Sequence, residues 1–176
     1  HTSTEGKVLE NPKNSAPEFI FQRTTSPEKA PNKPTLVTIK FKNGDPIGVN
    51  GKRLKPSMLF EKLNKLAGKN GIGRVDLVEN RFLGIKSRGV YETPGGTLLI
   101  HAHRAMESVT LDKETMHKKD NIMSRYAELI YNGYWYSKER FKLQKIVDHK
   151  KNKVNGSVKL KLYKGNITIQ SRITNS

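Results

Sequence analysis

Residues 35–42, TLVTIKFK, alternate cleanly, with Leu36, Thr38 and Lys40 on one side and Val37, Ile39 and Phe41 on the other. That period of two predicts a strand with one buried face. Asn43-Gly44 then marks a tight turn, PIGVN a short partner strand, and Asn50-Gly51 a second turn before another brief strand. The period changes after Pro56, which suits the first position of a helix. Leu59, Phe60, Leu63, Leu66 and Ala67 fall on one helical face, and Asn70-Gly71 ends the helix with Lys69 in its last turn. RVDLVEN and FLGIKSRGVY, within residues 74–91, predict two short strands around a turn. Thr93-Pro94 opens a helix running through LLIHAHRAMESV. Asp112 caps a longer one with Met116, Ile122, Met123, Tyr126, Leu129 and Ile130 as its expected buried stripe and Gly133 at its end. Ser137 caps a further helix to about Val147. The end, VNGSVKLKLYKGNITIQSR, predicts a hairpin with Val158, Leu160 and Leu162 inward and a turn at Lys164-Gly165-Asn166. Strands and helices mix without a βαβ rhythm, so the expected class is α+β: an antiparallel sheet with packed helices and a C-terminal β-hairpin. Residues 1–34 carry little periodicity and five prolines, and predict an extended arm over another surface, with Phe19, Ile20 and Phe21 as its contact.

Composition narrows the class. The 176 residues suffice for one domain with a real core, although hydrophobic residues make up only 34%. Without cysteine there is neither a disulfide framework nor a thiolate metal site. No apolar run has the length of a membrane-spanning helix, and HTSTEGKVLENPKN lacks the apolar stretch of a signal peptide. A cytoplasmic location with no membrane partner is the expectation. A chain opening on His1 is expected to be a piece of something longer, or a processed product. The net charge of +17 raises the question of a nucleic-acid or anionic partner. However, 24 of the 33 basic residues are lysines, spread over every predicted element, and asparagine is frequent at 14. That pattern fits compositional bias better than a binding face, which concentrates its cations and interleaves aromatics.

The chemistry concentrates in residues 71–97, GIGRVDLVENRFLGIKSRGVYETPGGT, where six glycines punctuate Glu79, Lys86, Arg88, Tyr91 and Glu92. Polar groups on such turns are well placed to meet a ligand. There is no Walker-type phosphate loop, dinucleotide fingerprint or serine elbow. His101 and His103, two apart on a helix, point to different faces and suit no shared metal. What remains is Glu79, Tyr91 and Ser3. A carboxylate beside phenol and alcohol hydroxyls matches a zwitterionic amino acid, the carboxylate for its ammonium and the hydroxyls for its carboxylate. From residue chemistry alone, Glu79 could as easily bridge to Arg74 or Arg81, and Tyr91 could be an aromatic at the edge of the core.

GIGRVDLVENR, GIKSRGVYETPGGT, AELIYNGYW and the terminal VNGSVKLKLYKGN, with the opening HTSTEG and LENP and the later SPEKAPNKP, resemble the second, synthetase domain of argininosuccinate synthase in the family's order. The resemblance implies a ligase of arginine biosynthesis. ATP, with magnesium, is its co-substrate, bound mainly by an N-terminal domain whose SGGxDxS loop this chain does not contain. L-citrulline attacks the α-phosphate, pyrophosphate leaves, and L-aspartate displaces AMP. The resemblance assigns Ser3, Glu79 and Tyr91 to citrulline and implies a homotetramer; Lys86 and Arg88, which lie between two of these residues, are expected to make structural salt bridges rather than to meet carboxylate or phosphate charge. It divides the chain into a connector, residues 1–34, and a catalytic and multimerisation domain, residues 35–176. On this reading the chain alone is expected to be inactive. The competing reading is a stand-alone basic module, derived from that domain, that binds nucleic acid or protein.

Overall fold

A computed structural model of the chain describes residues 6–174. Its main sheet has five antiparallel strands in the order β3-β2-β1-β6-β7: β1 (Thr35–Lys42), β2 (Asp45–Val49), β3 (Lys52–Arg53), β6 (Gly156–Tyr163) and β7 (Asn166–Thr174). β1 is central because its alternation is the strongest in the chain. Val37, Ile39 and Phe41 are buried, and Val158, Leu160 and Leu162 of β6 lie beside them in register. The expected hairpin of β6 and β7 forms, with left-handed backbone at Lys164 and Gly165. A bulge between Lys159 and Leu160 interrupts its pairing.

Two helices cover the inner face of this sheet. α2 (Pro56–Lys69) contributes Leu59, Leu63 and Ala67, and α3 (Pro94–Thr110) contributes Leu98, Ala102 and Met106. Phe60 of the expected α2 face is instead 44% exposed, because burial follows the 59-63-67 row and Phe60 falls beside it. α4 (Lys113–Tyr131) and α5 (Lys138–Val147) pack on each other. Their starts are those expected: the Asp112 carboxylate accepts from the Thr115 amide and the Ser137 hydroxyl from the Arg140 amide. The expected stripe on α4 is only partly covered. Leu129 is buried, but Met123 and Ile130 are exposed, and the other buried positions are Thr115 and Lys119. The face carries aliphatic periodicity without a surface in this chain to cover all of it.

Buried charge joins α3 to α4. Lys119 donates to the Glu107 carboxylate, which also has His103 at 3.6 Å and Arg104 at 3.7 Å. Burial raises the Glu107 carboxyl, but hydrogen bonds from His103 and Lys119 outweigh it and hold the group at about 2. Among the described residues, no helix is long and apolar enough to cross a membrane.

The remaining strands, β4 (Arg74–Asn80) and β5 (Lys86–Glu92), form a separate two-stranded ribbon. β5 begins later than expected. Phe82, Leu83 and Ile85 belong to the exposed turn, which the Arg81 amide closes by donating to the Ile85 carbonyl at 2.8 Å.

Candidate functional site

The ribbon leaves α2 through Gly71 and Gly73, both in left-handed backbone at φ 74° and 99°. A side-chain carbon on Gly73 would meet the Pro94 backbone at 2.5 Å, so glycine there lets the start of β4 lie against the start of α3. In the ribbon's register Arg74 faces Glu92, Asp76 faces Val90, Val78 faces Arg88 and Asn80 faces Lys86. The alternate pairs are Val75–Tyr91, Leu77–Gly89 and Glu79–Ser87. Because side chains alternate, these two sets form opposite faces.

The first face carries the N-terminal arm. Val90 is buried with Leu9, from α1 (Gly6–Glu10), and with Ile20, while Phe19 stays exposed. Arg88 donates from Nε and Nη2 to the two oxygens of Asp76, at 2.9 and 2.6 Å. Its Nη1 donates to the carbonyl of Asn14 at 2.9 Å and, at longer range, to those of Leu9 and Asn11. Arg74 grips Glu18 with two donors at 2.7 and 2.8 Å, reaches the Thr24 hydroxyl and carbonyl, and lies over the Phe21 ring. Glu92 accepts from the amides of Gln22 and Arg23 and from the Thr24 hydroxyl. Burial alone would raise its carboxyl, and these donors bring it below the ordinary value. The expected structural role of Arg88 is therefore what the structure has. Lys86 donates to the Asn80 side chain at 3.3 Å.

The second face brings Glu79 and Tyr91 together. The Tyr91 phenol donates to Glu79 Oε1 at 3.0 Å, and Arg81 Nη2 stands 3.7 Å from the same oxygen. Of the two arginines weighed for Glu79, Arg81 is its neighbour and Arg74 belongs to the arm. Burial pushes the phenol of Tyr91 above its ordinary range, and the hydrogen bond and charge of Glu79 push it further. Tyr91 thus stays a protonated donor. It lines a cavity of about 420 Å³, a size suited to a small metabolite, whose wall runs along β5 from Lys86 to Tyr91 and so includes Arg88 and Val90 of the other face, with Gly6 and Leu9 of the arm. Glu79 is not in the wall of that cavity, and its link to it is the hydrogen bond from the Tyr91 phenol. Ser3 lies outside the described residues. His101 and His103 diverge as expected, His103 pairing with Glu107 and meeting the Phe41 ring edge-on.

Sequence reasoning passed over Glu92 and Arg74 as clamps of the arm, since their partners lie 50 to 70 residues away and leave no local trace. Gly89, one of the six glycines expected on turns, lies instead inside β5, where a side-chain carbon would sit 2.4 Å from the Tyr91 ring.

The family model of the arginosuccinate synthase C-terminal domain matches residues 1–176. The chain belongs to that family. It is similar to the argininosuccinate synthase of Pelagibacter ubique (strain HTCC1062), with 85% identity over 100% of this chain and 45% of the relative. It is also similar to the argininosuccinate synthases of Xanthobacter autotrophicus, 59% identical, and Caulobacter vibrioides, 56% identical, each over 98% of this chain and 42% of the relative. The chain thus spans less than half the length of the curated relatives it matches. These relatives do not favour a stand-alone basic module.

Proposed function

We propose that this chain is the citrulline-binding and oligomerisation part of an argininosuccinate synthase, which joins L-citrulline to L-aspartate with ATP and releases AMP and pyrophosphate. The observation that carries the substrate assignment is the hydrogen bond from Tyr91, which lines the cavity, to the carboxylate of Glu79. The α-ammonium of citrulline takes the place of the phenol as donor to Glu79, which releases the single Tyr91 proton to donate, with Ser3, to the α-carboxylate. These groups hold the amino-acid end so that the ureido oxygen lies in line with the α-phosphate. That is catalysis by positioning.

ATP and its magnesium belong mainly to the nucleotide-binding domain. Among the described residues, no three histidine, aspartate or glutamate side chains are grouped to hold a metal ion. Residues 1–34 are the connector from that domain and residues 35–176 the synthetase and multimerisation domain, so the chain alone is inactive. The enzyme works in the cytoplasm as a homo-oligomer, a tetramer. Exposed Phe82, Leu83, Trp135 and Tyr136 on the ribbon tip and around the α4–α5 junction support that reading.

The test is pyrophosphate release by the protein purified from its native gene. Release that needs both citrulline and aspartate is the expected result. No release, from a native protein near 20.0 kDa, would overturn the proposal.

A further inference from the structure

Tyr91 reaches Glu79 along the ribbon rather than straight across it. Its direct partner is Val75, and Glu79 faces Ser87, with the Leu77–Gly89 pair between them on the same face. The phenol must therefore pass over position 89. A side-chain carbon built on Gly89 would stand 2.4 Å from the ring Cε2, 2.6 Å from the hydroxyl oxygen and 2.7 Å from Cζ. All three atoms belong to the far end of the Tyr91 side chain, so a side chain at position 89 fits only if that ring moves. Gly89 is not one of the glycines with left-handed backbone, so its conformation is open to other residues. Glycine inside a strand ordinarily weakens it, and alanine at a compatible backbone ordinarily stabilises. What alanine would displace here is the ring of Tyr91.

We propose that Gly89 is a positioning residue of the amino-acid site: its missing side chain is the saddle on which the Tyr91 phenol lies to deliver its hydroxyl to Glu79. This rests on the assignment of Glu79 and Tyr91 to citrulline. With a side chain at position 89 the ring lifts away from the strand, Glu79 loses its donor, and the hydroxyl no longer points where the carboxylate of the substrate is held. Size, not polarity, is the requirement at this position.

The experiment uses the full-length enzyme and four forms of it: unmodified, Tyr91→Phe, Gly89→Ala, and the double variant. Citrulline and ATP affinities are read by calorimetry. If the unmodified enzyme does not bind citrulline, or Tyr91→Phe binds it equally well, the assignment of the site falls and this inference with it. If those two behave as assigned, Gly89→Ala is expected to weaken citrulline about ten- to hundredfold, the worth of a lost hydrogen bond to a charged group. ATP affinity should be unchanged, and Gly89→Ala should add little in the Tyr91→Phe background. Equal citrulline affinity in Gly89→Ala, or an undiminished further loss in the double variant, overturns the inference. Folding is controlled by thermal melts with Tyr91→Ala, which removes the ring. Gly89→Ala should lower the melting temperature when Tyr91 is present and not when it is replaced by alanine. A penalty that persists without the ring also overturns it.

Discussion

Glu107→Gln probes the charge buried between α3 and α4. The Glu107 side chain is 6% exposed and that of Lys119 11%, so the substitution leaves an ammonium in a nearly dry site without its counter-charge. The size of the effect follows from the carboxyl itself, held at about 2 against an ordinary 4.5. Carried into free energy, that gap is worth about 3 kcal/mol. Breaking a buried pair from one side costs about 3–5 kcal/mol by mutational precedent, so the two routes agree. The folded carboxyl titrates below the unfolded one. Its contribution is therefore complete above 4.5 and is lost as the pH falls from 4.5 toward 2. Urea unfolding at neutral pH should show the loss, and the gap between the two proteins should close in acid. Lys119→Met should cost less, because Glu107 keeps His103 and Arg104. Glu107→Leu with Lys119→Met should recover most of the stability. A loss under about 1 kcal/mol for Glu107→Gln, or an equal or larger loss for Lys119→Met, would refute the reasoning.

Two further predictions concern the arm. Glu92→Gln leaves the carbonyl side of the amide to accept one or two of the three donors from residues 22–24, and should expose that segment to proteolysis several-fold faster while the main sheet stays protected. Arg88→Met strips the donors from Asp76 and from the carbonyls of Leu9, Asn11 and Asn14. Hydrogen exchange should then speed up over residues 7–14 and leave β1 and β6 unchanged, and equal protection in both proteins would refute the clamp.

What the sequence disclosed depended on how local its causes were. The alternation of β1, the caps at Asp112 and Ser137, and the Lys164–Asn166 turn act over a few residues, and each stands where expected. Residue chemistry and the family resemblance singled out Glu79 and Tyr91 but left Arg74 and Arg81 as rival partners of Glu79, because the fold of the ribbon about Gly84, which puts residues 12 apart on one face, has no signature in residue type. Phe60, Met123 and Ile130 were misplaced because periodicity shows which face is apolar but not how much surface exists to cover it. The grip of Arg74, Arg88 and Glu92 on the arm was invisible for a different reason. Ion pairs and backbone acceptors 50 or more residues away create no periodicity and no spacing. Gly89 was hidden because its role exists only once Tyr91 is laid along the strand.

The central claim is that the carboxylate of Glu79, with the phenol of Tyr91, holds the amino-acid end of citrulline. The most direct test is a calorimetric titration of L-citrulline into the full-length enzyme and into its Glu79→Gln variant. Saturable binding by the unmodified enzyme, weakened about tenfold or more in the variant, is the predicted result, since a charge-assisted contact to the substrate ammonium is lost. Equal affinity in the two proteins, with both folded, would contradict the account.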